Sequence, residues 1–184
     1  MLCRDGQTAR FAAERAMGDR KSMEEKAPLS KERLQRIADL IYEAGMLRHT
    51  PRTGWAFLGS NAESVAEHSY RMSIIGYVLA RLAHVDPARV LLLCLFHDLH
   101  EARTGDFNYV YHRYNTTDAL RALEDATEAT GFREEILDVF AEFTARQSRE
   151  SMLANDADQL DLIANLAREL PRGNTFAREW LDSA

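Results

Sequence analysis

His97 and Asp98 stand side by side at the end of the apolar run Val90 to Phe96, and Glu101 follows one turn later. Neighbouring residues on a helix project about 100° apart, so an imidazole and a carboxylate in succession converge only on something lying between their directions. A metal ion meets that requirement. It also offsets the cost of a carboxylate placed where a buried helix ends. The plainer arrangement is a hydrogen-bonded His97 and an Asp98 paired with an arginine. His68 on the preceding helix and an aspartate on the last long helix would complete a set of imidazole and oxygen ligands that suits several divalent metals. Three aspartates are available there, Asp156, Asp158 and Asp161, and helical geometry alone does not choose among them. Glu101, four residues after His97 and three after Asp98, shares their helix face.

These residues need elements to position them, and hydrophobic residues recur at helical spacing almost everywhere, without alternating segments joined by hairpin turns. The chain reads as all-α. A first helix runs from about Ser30 and ends at Gly45. A turn-rich loop, HTPRTGWAFLGSN, carries Arg52 and Trp55. Ser64 with Glu67 forms a capping box that opens the helix of His68. Asp86-Pro87 caps and starts a helix expected to run unbroken through VLLLCLFHDLHEA to Gly105, apolar on all sides at its centre and therefore buried. Thr117 or Asp118 starts a helix that Gly131 ends. Another spans Phe132 to about Arg149, and the last long one runs from near Glu150 to Leu170, stopped by Pro171.

Composition narrows the function. Of 184 residues, 46% are hydrophobic, and no apolar run approaches the roughly 20 residues of a membrane span. Two cysteines, Cys3 and Cys94, give no disulfide framework and suit a reducing cytoplasm. A formal charge of -6 disfavours a nucleic-acid polymer as partner and leaves room for a small anion held by arginine. The guanidinium of Arg52 matches phosphate oxygens with paired donors, and the Trp55 indole offers a flat wall for a sugar or base. The first 28 residues mix both charges and read as a loosely ordered extension before one domain, 29–184.

His68, the His97-Asp98 pair and a later aspartate resemble the metal signature of the HD-domain superfamily of metal-dependent phosphohydrolases. More narrowly, PRTGW at 51–55, ESVAEHSYRM at 63–72, HDLHEARTGD at 97–106 and ADQL at 157–160 resemble the branch that contains the 5'-deoxynucleotidases and their eukaryotic relatives. The resemblance implies a helical bundle of about six to seven helices around one divalent ion (manganese, cobalt, iron, nickel or zinc). It selects Asp158 as the last ligand beside His68, His97 and Asp98. It makes Glu101 catalytic, has Asp106 contact the sugar and help set the water, and gives Arg52 the 5'-phosphate of a nucleoside monophosphate and Trp55 a wall of the site. Bacterial members set that arginine and tryptophan side by side, whereas Thr53-Gly54 intervenes here. A cytoplasmic homodimer is the implied assembly. The rival readings are a phosphohydrolase of another metabolite, an iron oxygenase drawing on Asp106 and His112, and a non-catalytic binding protein.

Overall fold

Local hydrogen bonding written into the sequence starts the helices that carry the site. The computed structural model describes residues 28–59 and 63–183, so the extension expected at 1–28, apart from Pro28, lies outside the described residues. The chain falls into two units, Met1–Lys31 and Glu32–Ala184, and every candidate site residue belongs to the second. Among the described residues there are eight α-helices, α1 (Lys31–Met46), α2 (Val65–Ala83), α3 (Pro87–Phe96), α4 (Glu101–Thr104), α5 (Ala119–Thr127), α6 (Arg133–Ala145), α7 (Arg149–Glu169) and α8 (Phe176–Ser183). The all-α expectation holds. Two more helices than the lower expected number arise because the His97-Asp98 helix breaks and because α8 follows the turn at Pro171.

At the start of α2 the Ser64 hydroxyl accepts from the Glu67 amide at 3.2 Å, and Glu67 Oε2 accepts from the Ser64 amide at 2.8 Å. Both halves of the capping box are present. Asp86 caps α3 by accepting from the Ala88 amide at 2.9 Å, with Pro87 in the first turn.

The helix expected to run on to Gly105 ends at Phe96. His97 Nδ1 lies 2.9 Å from the carbonyl oxygen of Cys94, the oxygen that a continuing α-helix would offer to the amide of Asp98. The chain then tightens to i→i+3 bonds, Leu99 to Phe96, Glu101 to Asp98, Ala102 to Leu99 and Arg103 to His100. In such a turn side chains three apart eclipse, so Glu101 stacks over Asp98. Nor is α3 buried all round: Val90, Leu93 and Cys94 are fully enclosed, while Leu95 is half exposed.

The enclosed face of α3 packs with α2 and α7 around Met72, Leu93, Ala154 and Ala157. The α2–α3 approach is close because residue 76 is glycine: a Cβ there would lie 2.6 Å from Cys94 Sγ and 3.1 Å from Val90 Cγ1. That contact sets His68 and His97 opposite each other, with ring centroids 5.4 Å apart. An antiparallel bridge between Pro51 and Ser64, with Arg52 N donating to Glu63 O at 2.8 Å and Val65 N to Thr50 O at 2.9 Å, lays the Arg52 loop against the entry of α2. No described helix is long and apolar enough to cross a membrane.

Candidate metal centre

Three helices meet at the expected residues. His68, His97 and Asp158 each present a ligand atom, all within 4.8 Å of one another, and Asp98, His100 and Glu101 form an adjoining cluster on the same terms. Asp98 Oδ2 stands 2.9 Å from His97 Nε2 and 3.9 Å from His68 Nε2, and Asp158 Oδ1 stands 3.3 Å from His68 Nε2.

Each histidine is anchored from behind. His97 Nδ1 faces the Cys94 carbonyl, and His68 Nδ1 faces Asp161 Oδ2 at 2.8 Å. A carbonyl can only accept, and a carboxylate prefers to, so both hydrogens are assigned to Nδ1 from their partners. Each neutral ring then turns the lone pair of Nε2 toward carboxylate oxygens, an approach of acceptor to acceptor. His68 Nε2 is buried without an aligned hydrogen bond. A cation between these atoms resolves the conflict, and oxygens and nitrogens about 3 Å apart have the spacing of adjacent ligands around a small octahedral ion. The residues fit a divalent metal. In the metal-free protein a proton serves instead: burial lowers the His68 pKa, but the nearby Asp158 and Asp161 carboxylates outweigh it and carry the value up to about 9.

The three aspartates on α7 separate clearly. Asp156 is exposed, Asp158 faces Nε2 of His68, and Asp161 is buried on the opposite side of the same ring. The plainer arrangement also has its counterpart, since Arg52 Nη1 reaches Asp98 Oδ2 at 3.4 Å. Burial alone would raise the Asp98 pKa, yet His97, Arg52 and His68 outweigh it and hold that carboxyl below the usual range. Glu101 goes the other way. Burial first, then the charges of Asp98 and Asp106, push it up to about 9, and its Oε2 is enclosed without a partner. One carboxylate is thus kept ionised and its neighbour kept protonated.

Arg52 also lies 4.0 Å from Asp106 Oδ1. Sequence reading missed what fixes that geometry. Thr53 donates its amide to Asp106 Oδ2, its hydroxyl lies 3.0 Å from the Asp106 carbonyl, and the same hydroxyl accepts from the amide and side chain of Asn108 at 3.1 Å each. The two residues set between Arg52 and Trp55 therefore bolt one loop to the other. Beside the bolt lies a cavity of about 290 Å³ lined by Arg52, Trp55, Asp106, Tyr109, Leu162 and Trp180 among others, near the lower end of small-molecule sites at roughly 300 Å³. Trp55 is 7% exposed and spends its indole N–H on Glu63 Oε2 at 2.9 Å. Trp180, on α8, went unnoticed in the sequence because α8 itself did. His100 Nδ1 meets Thr104 Oγ1 at 3.1 Å beside Glu101, while His112 is exposed and packs edge-on against Phe107.

An all-helical frame whose histidine–aspartate pair closes on a second histidine and a distant aspartate defines a class of helical domains with a side-chain cluster that could hold a cation. The family model described as the HD domain matches residues 44–177, and the chain belongs to that family. It is similar to the 5'-deoxynucleotidase HDDC2 of Danio rerio, 30% identical over 125 residues that cover 65% of this chain and 62% of that protein. The 5'-deoxynucleotidase hdd1 of Schizosaccharomyces pombe is 30% identical over 134 residues, 65% of each chain. The chain spans just under two thirds of the length of these curated relatives. Among solved structures it is similar to a conserved hypothetical protein from Pyrococcus furiosus, with a TM-score of 0.71 and 31% identity over 78% of this chain and 88% of that one. The PH0347 protein from Pyrococcus horikoshii OT3 gives a TM-score of 0.68 at 27% identity over 79% of this chain and 86% of the other.

Proposed function

We propose that the protein is a phosphomonoesterase that hydrolyses nucleoside 5'-monophosphates, deoxyribose forms above all, to nucleoside and phosphate. The observation that supports the reading best is the gathering of the buried Glu101 carboxyl and the Arg52 guanidinium about Asp98, at the edge of the two-histidine, two-carboxylate pocket. The names of the curated relatives support the substrate class.

His68, His97, Asp98 and Asp158 would hold one divalent ion, and such an ion supplies Lewis-acid polarisation of a phosphoryl oxygen and a lower pKa for water. Arg52 neutralises the phosphate and orients it through paired donors. Glu101, whose carboxyl is held protonated in the metal-free protein by burial and the neighbouring aspartates, would give its proton to the leaving 5'-oxygen as water forms the new bond to phosphorus and the old P–O bond breaks, and the proton shed by that water would return to Glu101. Asp106, fixed by Thr53, faces the sugar, and Trp55, Trp180 and Tyr109 provide flat walls for sugar and base. The reading includes a cytoplasmic location and a homodimer, and the exposed apolar residues Tyr70, Ile74, Tyr77 and Val78 along α2 and Leu95 on α3 support the homodimer.

The test is phosphate release from ribo- and deoxyribonucleoside 5'- and 3'-monophosphates and sugar phosphates, using chelated protein resupplied with single divalent metals. Metal-restored release confined to 5'-monophosphates is the expected result. Release from sugar phosphates alone would move the substrate to another metabolite, and no release from any ester would end the hydrolase reading.

A further inference from the structure

The carboxylate behind His68 does not end the chain of contacts. Arg71, three residues after His68 on α2, donates Nε to Asp161 Oδ1 at 2.6 Å and Nη2 to Asp161 Oδ2 at 3.0 Å. The same Nη2 is bonded to Glu63 Oε1. Glu63 is buried, and its other oxygen accepts the indole N–H of Trp55 at 2.9 Å. Asn165 Nδ2, one turn beyond Asp161, braces both carboxylates at 3.4 Å. A continuous run of polar contacts therefore leads from Trp55 in the cavity wall through Glu63, Arg71 and Asp161 to His68 in the metal pocket. It joins four separate parts of the chain: the Trp55 loop, the residue before the α2 cap, α2 itself and α7.

Two carboxylates share one guanidinium here. The fork on Asp161 leaves that carboxylate one rotational setting, and the carboxylate in turn sets the ring plane of His68. The inner end of Arg71 is held by Glu63, and Glu63 is held by Trp55. We propose that Glu63 and Arg71 are positioning residues that couple the cavity wall at Trp55 to the orientation of His68, so that a base or sugar seated against Trp55 and an ion held by His68 favour each other's binding. The inference rests on the metal pocket described above and adds to it a path by which substrate and metal sense one another. Coupling of this kind is reciprocal, so loosening the wall loosens the ion.

The test uses Mn²⁺ alone as the probe, with affinity read by calorimetry on chelated protein and melting temperature recorded alongside. Partners behind a ligating histidine typically contribute about 10- to 100-fold to metal affinity, and Glu63→Gln and Arg71→Met are expected to weaken Mn²⁺ binding within that range. Arg71→Lys, which keeps the charge and loses the fork, recovers only part of it. Trp55→Phe, which touches no ligand, weakens Mn²⁺ binding by about threefold or more, a fraction of that range, and adds nothing to Glu63→Gln because its effect passes through Glu63. Excess Mn²⁺ restores kcat in each positioning variant, which damage to the fold would not permit. Unchanged Mn²⁺ affinity in Glu63→Gln, or additive effects of Trp55→Phe and Glu63→Gln, would overturn the coupling while leaving the metal pocket intact. Wild-type protein that binds neither Mn²⁺ nor Co²⁺, Ni²⁺, Fe²⁺ or Zn²⁺ would overturn the pocket and the coupling together. Should Arg71→Met not fold, the near-isosteric Glu63→Gln decides.

Discussion

Asp161 Oδ2 lies 2.8 Å from Nδ1 of His68, on the face of the ring turned away from Asp98 and Asp158. The carboxylate thus acts on the pocket without entering it, fixing which nitrogen carries the hydrogen and how basic the other one is. Asp161→Asn keeps the volume and one acceptor but removes the charge. Its Mn²⁺ affinity is expected to fall about 10- to 100-fold, read by calorimetry, whereas Asp156→Asn on the exposed face leaves it unchanged.

In the proposed mechanism Glu101 moves a proton and does not hold the ion. Glu101→Gln is therefore expected to lower kcat for phosphate release by about 10²- to 10⁴-fold, the usual share of a positioned acid or base. Mn²⁺ affinity stays at the wild-type value. Loss of both together would make Glu101 a ligand and remove it from the proton-handling role.

The same residue gives the metal-free protein a pH dependence of definite sign. Its pKa is carried from 4.5 up to about 9, so between those values the unfolded chain has released a proton that the folded chain retains. The folded state binds more protons, and stability falls as pH rises. His68, carried from 6.5 up to about 9, deepens the fall above pH 6.5. Asp98, Asp158 and Asp161, held low, act only in more acidic solution. His100, held below 6.5 by burial, acts in the opposite direction below that pH, so urea unfolding of chelated protein should show the fall most clearly between pH 7 and 8.5, where Glu101 and His68 act together at a limit of about 1.4 kcal/mol per pH unit for each proton. Glu101→Gln should flatten it.

What was legible in the sequence was the chemistry carried by local bonds and by residue type. Ser64 with Glu67 and Asp86 with Pro87 cap their helices with partners two or three residues away, so their geometry follows from the string of letters. The break after Phe96 was not legible. It depends on the His97 ring taking a backbone oxygen, which no hydrophobic period reports. The choice among Asp156, Asp158 and Asp161 was equally closed to periodicity, because the spacing of α7 fixes only relative faces and its packing on α2 decides which face is inner. Glu63, Arg71 and Thr53 find their partners across the chain, Arg71 with Asp161 and Thr53 with Asp106 and Asn108, and only the fold brings those together.

Thr53 offers a way to separate substrate placement from metal binding. Its hydroxyl serves the Asp106 carbonyl and two donors of Asn108, and none of these contacts reaches the metal pocket. Thr53→Val keeps the shape and removes the hydroxyl, leaving its partners unpaired at about 1–3 kcal/mol. The expected result is a KM for 5'-monophosphates raised about tenfold, the equivalent of roughly 1.4 kcal/mol, at wild-type Mn²⁺ affinity. A wild-type KM would show that the two loops hold Arg52 without this bolt.

Gly76 tests whether the close approach of α2 and α3 is what sets the two histidines opposite each other. A methyl group there would meet Cys94 Sγ at 2.6 Å and Val90 Cγ1 at 3.1 Å, and neither is the far end of a long side chain that could swing away. Alanine normally favours a helix over glycine by about 0.5–1 kcal/mol, so an increase in stability is the outcome if the helices part freely. Gly76→Ala is expected instead to cost about 1–3 kcal/mol from overpacking, read as a lower urea midpoint at an unchanged slope. Because the helices can relieve the clash only by moving apart, the separation of His68 from His97 changes as well. Mn²⁺ affinity should then fall along with stability. The double variant Gly76→Ala with Cys94→Ala, which opens space for the methyl group, should recover much of the lost metal affinity. Without that recovery, the α2–α3 approach at Gly76 is not what positions the two rings.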